Sequence, residues 1–365
     1  MILHFYFARR FAMALLVIAT VLATLVLLVD LIDQTRKFAD FGVSFAQRLG
    51  LTLLNVPETL NQILPLIMIL GTVTLFISLA RSSELVVTRA AGRSAMRALV
   101  APVAVALVLG VLATTTLGPI VAATSKRYAT LAETYRSGGA SALSVSEEGL
   151  WLRQGSEAGQ TVIRAARSNA DASVLYDVSF VAYAPGGGPV RRIEAASAAL
   201  QDGAWSLRQA KVWPLTTGLN PEANAVTHDV LAVPSTLTLD RIRETLGTPA
   251  GVSIWDMPDF IVQLEQAGFS ARHHRVWLQA QLARPLFLMG MVLVAAAFTM
   301  RHTRFGGTGT AVLAAVLLGF ALYFIRSFAQ ILGENGQIPL MLSAWAAPCA
   351  AILLGLGLLL RTEDG

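Results

Sequence analysis

Six long apolar runs, separated by polar elbows, set the rhythm of this chain. They occupy residues 11–32, 57–80, 99–122, 276–300, 310–332 and 338–360. Each is about 20 residues or longer, the length at which an α-helix crosses the ~30 Å hydrocarbon core of a bilayer. Between the third and fourth runs the period changes. Residues 125–136 keep helical spacing and extend the third run beyond the bilayer. Short alternating stretches at 149–153, 161–164, 174–183, 192–200, 204–213 and 226–239 then read as strands. Turn signals such as Ala184-Pro185-Gly186-Gly187-Gly188-Pro189 and Gln201-Asp202-Gly203 punctuate them. Strands at this spacing suggest an antiparallel sandwich, a jelly roll or a half-open barrel. A short amphipathic helix at 258–268 leads back to the fourth run. The pattern predicts an α-helical polytopic membrane protein with six transmembrane helices, three plus three, and an all-β domain between helices 3 and 4. Its expected divisions are 1–124, 125–275 and 276–365, with flanking helices assigned to the middle one.

Two stretches depart from this simple rhythm. Residues 43–54 are moderately apolar and are expected to form an interfacial or re-entrant helix ahead of the second span. That span opens on Val56-Pro57-Glu58-Thr59-Leu60-Asn61-Gln62-Ile63-Leu64-Pro65, whose prolines and polar groups imply a broken or kinked start facing protein rather than lipid. The second stretch is the elbow after span two, Arg81-Ser82-Ser83-Glu84-Leu85-Val86-Val87-Thr88-Arg89-Ala90-Ala91-Gly92-Arg93. Ser82 or Ser83 can cap a new helix of about three turns over 82–93, with Glu84 in its first turn and Gly92 to end it.

Charge orients the spans. Arginines gather at the N-terminus (Arg9, Arg10), around the elbow (Arg81, Arg89, Arg93, Arg97), at the Arg301–Arg304 turn and at Arg361. The positive-inside tendency then places both termini and the elbow in the cytoplasm and the strand-rich insert outside. Arg36, Lys37 and Arg48 fall on the outer side against this tendency, and an anionic ligand would supply the reason. The first run is too long for a cleaved signal region and should remain as an anchor.

Composition agrees with the pattern. Of 365 residues 55% are hydrophobic and 14% charged, against about 25% charged in a soluble domain. The net charge of +5 lies beside apolar spans, where topology and anionic lipid account for it more simply than nucleic acid does. The single cysteine, Cys349, excludes a disulfide within the chain and a cysteine-based metal site.

No enzyme constellation is present. A P-loop is missing, so the chain does not bind ATP through one. His273-His274 is the nearest approach to a metal pair, but adjacent helical positions point apart, and no cofactor is expected. Glu84, Leu85, Arg81 and Arg89 form a charged surface helix with an apolar edge, either an ordinary cytoplasmic loop or the handle on which a motor subunit pushes. Asp30, Arg284 and Arg326 lie inside apolar spans at similar depth, where each costs about 2.5–3.5 kcal/mol on insertion scales. They either snorkel to the headgroups, with an Asp30–Arg326 pair fixing packing, or line a polar-headed cavity. Arg36 and Lys37 belong to a solvated turn or meet the phosphates of an entering lipid.

The elbow, the segment 56–65, Asp33-Gln34 followed by Arg36-Lys37, the Gly149-Leu150-Trp151 strand and the helix at 264–268 together resemble the LptF/LptG family of lipopolysaccharide transport permeases, on the LptG side. The resemblance runs nearly end to end. It implies a permease subunit of an ABC transporter in a Gram-negative inner membrane, with a periplasmic β-jellyroll that continues the lipopolysaccharide path. Its expected partners are an LptB-like ATPase dimer, an LptF-like sister permease, an LptC-like single-span protein and lipopolysaccharide itself. Spans one and five would form lateral gates, Glu84 would sit in the ATPase-contacting helix, and Arg36 and Lys37 would lie at the lipid entrance, with Arg284 and Arg326 deeper. Asp30 stands where some relatives carry a lysine, so an Asp30–Arg326 gate pair, within this subunit or across to another, is expected in place of a phosphate contact. The rival expectations are a permease for another envelope lipid or lipoprotein, and a non-transporting scaffold.

Overall fold

The computed structural model describes residues 2–84, 87, 94–137, 143–146, 149–156, 159–169, 173–185, 187–201, 203–216, 220–235, 237, 249–266, 270–300 and 308–363. It divides into two compact units, one formed by Met1–Tyr128 with Arg272–Gly365 and the other by Ala129–Ala271.

The first unit is a helical bundle. Its helices are α1 (Ile2–Lys37), α2 (Phe45–Arg81), α3 (Ala95–Leu112), the start of α4 (Gly118–Ser137), α6 (Arg272–Thr299), α7 (Thr308–Glu334) and α8 (Leu340–Glu363). α5 (Met257–Gln266) belongs to the second unit. Among the described residues six stretches are long and apolar enough to cross a membrane; α3 and α4 supply one of them jointly, over Met96–Ala132.

The separate helix expected at 43–54 does not exist. Gly42, at φ 65°, ends a short 3-10 turn. Ser44 then caps α2 reciprocally: its hydroxyl accepts from the Gln47 backbone N–H, and its own N–H donates to the Gln47 side chain at 2.8 Å. Nothing between Phe45 and Arg81 stops the helix, and Pro57 and Pro65 are carried inside it. At 37 residues it spans about 55 Å, well beyond a hydrocarbon core.

α6 is the most enclosed of the spans, with Val276, Phe287, Leu288, Met291, Val292 and Val294–Ala296 fully buried. Neighbours reach it closely because they offer glycine. A Cβ on Gly110 of α3 would lie 2.5 Å from the Cα of Pro285. Close approach at this point also repairs a defect. Pro285 has no N–H for the carbonyl of Gln281, four residues back. The chain after α3 makes a π-type turn at Ala113–Leu117, in which the Gly118 N–H bonds the Ala113 carbonyl. That turn brings the Thr114 hydroxyl within 3.2 Å of the Gln281 oxygen, to which it donates.

In the second unit seven strands, β1 (Leu143–Ser146), β2 (Gly149–Ser156), β3 (Gly159–Ser168), β4 (Val174–Tyr183), β5 (Pro189–Gln201), β6 (Ala204–Pro214) and β7 (Val226–Pro234), form one antiparallel sheet in sequence order. The all-β insert is therefore a meander, and the Greek-key crossovers of a jelly roll do not occur among the described strands. β1 escaped the sequence reading. One face is apolar, as in the row Leu152, Ile163, Phe180, Ile193, and Trp205 packs edge-on against Phe180 at 6.2 Å.

A crease crosses this sheet. In β3 the buried positions run 163, 165, then 168; in β4, 175, 178, 180; in β5, 193, 195, 198, 200; in β6, 205, 207, 210. Each strand thus places two consecutive residues outward: Ala166-Arg167, Tyr176-Asp177, Ala196-Ser197 and Arg208-Gln209. These pairs stand opposite one another across the four strands, so the alternation slips in phase and the register survives. Asp177 and Gln209 produce the slip by adopting φ 52°.

Two outcomes follow for stability, both measurable by thermal unfolding of the detergent-solubilised protein. Thr114→Val leaves the Gln281 carbonyl without its donor and should lower stability by about 1 kcal/mol. Gln209→Gly removes the Cβ that the left-handed conformation penalises and should raise stability by up to about 1 kcal/mol, whereas Gln209→Val should lower it.

Candidate functional site

Three polar clusters sit in the helical unit, and each gathers residues far apart in sequence. The first is at the end of α2. The Ser82 N–H still bonds the Ser78 carbonyl, but Ser83 takes φ 56° and turns the chain out of the helix. A serine held there costs about 1–2 kcal/mol and needs compensation nearby. The compensation is Glu84. Its carboxylate accepts from the Tyr6 hydroxyl at 2.9 Å, from Arg10 Nη1 at 2.9 Å and from the Ser82 hydroxyl at 2.8 Å. The Arg10 guanidinium also lies over the Tyr6 ring, 5.3 Å from its centroid. Beyond Glu84 a Val87 N–H to Ser83 carbonyl bond starts a helical turn. Leu85 and Arg89 lie outside the described residues, as does most of the expected elbow helix; Arg81 is the exposed last residue of α2.

Partial burial of Glu84 favours its proton, but the hydrogen bonds from Ser82 and Tyr6 and the charge of Arg10 outweigh it, so the carboxyl titrates below the usual carboxylate range.

The second cluster lies inside the bundle. Arg284 of α6 and Arg326 of α7 are 7% and 8% exposed. Arg284 Nη1 donates to Asn61 Oδ1 of α2 at 2.5 Å. Arg326 stacks on the Phe287 ring at 4.9 Å and lies near enough to Arg284 for their charges to repel. Among the described residues neither arginine has a carboxylate within ion-pair distance.

The third cluster is at the C-terminal end of α1. Asp30 accepts from Asn55 Nδ2 of α2 at 2.6 Å and, at 3.4 Å, from Gln34 Nε2. Gln34 is fully buried and bonds the Tyr128 hydroxyl of α4 at 3.0 Å. Lys37 pairs with Asp33 at 2.7 Å, while Arg36 is exposed. The expected Asp30–Arg326 pair is not formed within this chain, because each side chain is held elsewhere: Asp30 by amides of α1 and α2, Arg326 by an aromatic face. Asn61, Asn55, Tyr6 and Phe287 were not singled out by sequence. Asn61 had a signal, as a polar residue in the proline-bounded start of span two. Tyr6 had none, because its partner is 78 positions away.

His273 meets Glu334 at 3.1 Å, and no group of three or more metal-ligating side chains occurs among the described residues.

Six membrane-length apolar spans among the described residues, buried charge between them and a β-sheet unit inserted after the third span define the class as a polytopic membrane protein. Residues 5–361 match the family described as lipopolysaccharide export system permease LptF/LptG. The chain belongs to that family. It is 27% identical over 362 residues to the lipopolysaccharide export system permease protein LptG of Escherichia coli K12, covering 94% of this chain and 96% of that one. The protein of the same name from Haemophilus influenzae is 23% identical over 359 residues, covering 95% and 97%.

The depressed titration of Glu84 fixes the sign of a pH effect. A lowered folded pKa gives stability that is complete above the unfolded pKa and is lost as pH falls through the folded one. The stability difference between the parent and Glu84→Gln, followed by thermal unfolding from about pH 8 to about pH 3, should therefore stay level above the ordinary carboxylate range, begin to shrink as pH falls through it, and continue to shrink toward the lower folded pKa.

Proposed function

We infer that this chain is a permease subunit that extracts lipopolysaccharide from the outer leaflet of the inner membrane. ATP hydrolysis in an LptB-like partner dimer drives it through the elbow at Glu84. Both termini lie in the cytoplasm and the β unit in the periplasm, in keeping with most of the arginine distribution. An LptF-like sister permease and an LptC-like single-span protein complete the assembly. α1 and α7 are the spans least covered by the rest of the chain, with Leu16, Val17, Val21, Leu317, Phe324 and Phe328 all exposed. Such faces suit a sister subunit or the lipid itself, in keeping with gates at spans one and five.

The observation that carries the reading is the Arg284–Arg326 pair. Two buried cations without a carboxylate partner among the described residues are expensive in a membrane and mark a path for an anion. Phosphorylated lipid A supplies that charge on an apolar body, which matches arginines set among apolar spans. Arg36, exposed at the end of α1, and Lys37, beside Asp33, stand where such a headgroup would first meet the protein.

Purification of the tagged protein from its native membrane in mild detergent, with mass spectrometry of all that is retained, tests this. Recovery of an ABC ATPase, a second six-span permease and lipopolysaccharide is expected. A different lipid on the same ATPase would change the cargo, and envelope proteins without an ATPase would sink the transport reading. In the same assay Arg284→Ala and Arg326→Ala should each retain about a tenth or less of the parent's lipopolysaccharide, since a charged hydrogen bond contributes about 1.5–3 kcal/mol.

A further inference from the structure

The Glu84 carboxylate, expected in the ATPase-contacting helix, is gripped by the first turns of α1. We propose that Tyr6 and Arg10 are positioning residues that fasten α1 to the elbow, so that displacement of the elbow is passed to α1 directly as well as through α2 and α3. This deepens the preceding reading and rests on it.

The geometry supports transmission in several ways. Both carboxylate oxygens are used: Oε2 takes the Tyr6 hydroxyl, and Oε1 takes Arg10 and Ser82. Grips on both oxygens fix the direction of Glu84 as well as its distance. Arg10 and Glu84 side chains are 37% and 30% exposed, so the pair is partly withdrawn from solvent screening. Arg10 is itself steadied by the Tyr6 ring beneath it. On the other side of Glu84, Ser83 holds a left-handed conformation that breaks the continuity between α2 and the elbow. The covalent route from elbow to α2 therefore passes through a bend, while the non-covalent route to α1 consists of short, charge-assisted bonds. α1 is also seated for the task. Phe7 and Phe11, one turn apart and flanking the clamp residues, are buried in the bundle at 2% and 0% exposure. A pull on Tyr6 and Arg10 acts on a helix end that is already packed.

The test uses the complete complex purified from its native membrane and reconstituted in proteoliposomes. Two quantities are read for each variant: ATPase retained per permease, and lipopolysaccharide released per ATP hydrolysed. Tyr6→Phe deletes one oxygen and keeps the ring against Phe7; Tyr6→Phe with Arg10→Ala removes both grips and leaves Glu84 untouched. With the clamp transmitting movement, the double variant retains the ATPase at the parent level and releases about tenfold less lipopolysaccharide per ATP, with Tyr6→Phe between the two. Release per ATP within about twofold of the parent overturns the proposal, because the clamp then carries no movement. Loss of the ATPase from the double variant also overturns it, since the residues would then serve docking rather than transmission. A parent complex that brings no ATPase overturns the reading beneath it, and that result is distinguishable because it precedes any substitution.

Discussion

A carbonyl oxygen inside a membrane has no water to turn to, and the helical unit is arranged around that constraint. Pro285 in the centre of α6 leaves the Gln281 carbonyl without a helical donor, on the span that most of the others pack against. The repair requires α3 to come very close, which Gly110 allows, and to present a hydroxyl at the right height, which the π-type turn at Ala113–Leu117 achieves. The irregularity in one helix thus answers the irregularity in another. Either alone would be a defect. Together they fix the position of α6 against α3, and with it the height of Arg284, the residue just before the proline.

The same constraint governs the charges. Three ionised groups of the bundle meet neutral partners rather than opposite charges: Arg284 meets an amide, Arg326 a ring face, Asp30 two amides. Neutral partners lower the cost of desolvation without cancelling the charge. A salt bridge between Arg284 or Arg326 and an acid would be more comfortable for the protein and would close the position to an anionic ligand. At the end of α2, where water is near, the opposite solution appears, and Glu84 is paired with a full positive charge.

Much of this architecture was legible. Apolar runs separated by arginines gave the spans, because length and charge asymmetry are properties of composition. All the described strands but β1 are legible from alternation, and their slip is visible as Leu175-x-x-Val178-x-Phe180 and Trp205-x-Leu207-x-x-Ala210. The tandem glycines at 186–188 and Gly203 marked turns. What sequence misjudged was continuity and pairing. Residues 43–54 looked separable from span two because Pro57 follows them, yet a proline far from a helix's start removes one bond and not the helix, and Ser44 was the true boundary. Asp30 and Arg326 were joined because they share a depth, but depth says nothing about azimuth. Asn55, one span away, won by facing the right side. Contacts between residues dozens of positions apart, such as Tyr6 with Glu84 or Asn61 with Arg284, depend on helix rotation, which no local pattern encodes.

These pairings leave α1 with an uneven fit. Near its N-terminus Phe7, Phe11 and Leu15 form a buried stripe at helical spacing, with Glu84 clamped alongside. Near its C-terminus Gln34 is buried again, tied to Tyr128, while Asp30 is tied to Asn55. Between Leu15 and Gln34 no residue of α1 is fully buried, and apolar side chains such as Val21, Leu25 and Leu28 face outward. A helix fastened at both ends and lightly held in between can bow or tilt without breaking its end contacts, and the displacement is largest where its surface is most apolar. On the function proposed above, with span one as a gate, the polar ends would be the fixed points and the uncommitted apolar middle the surface that parts.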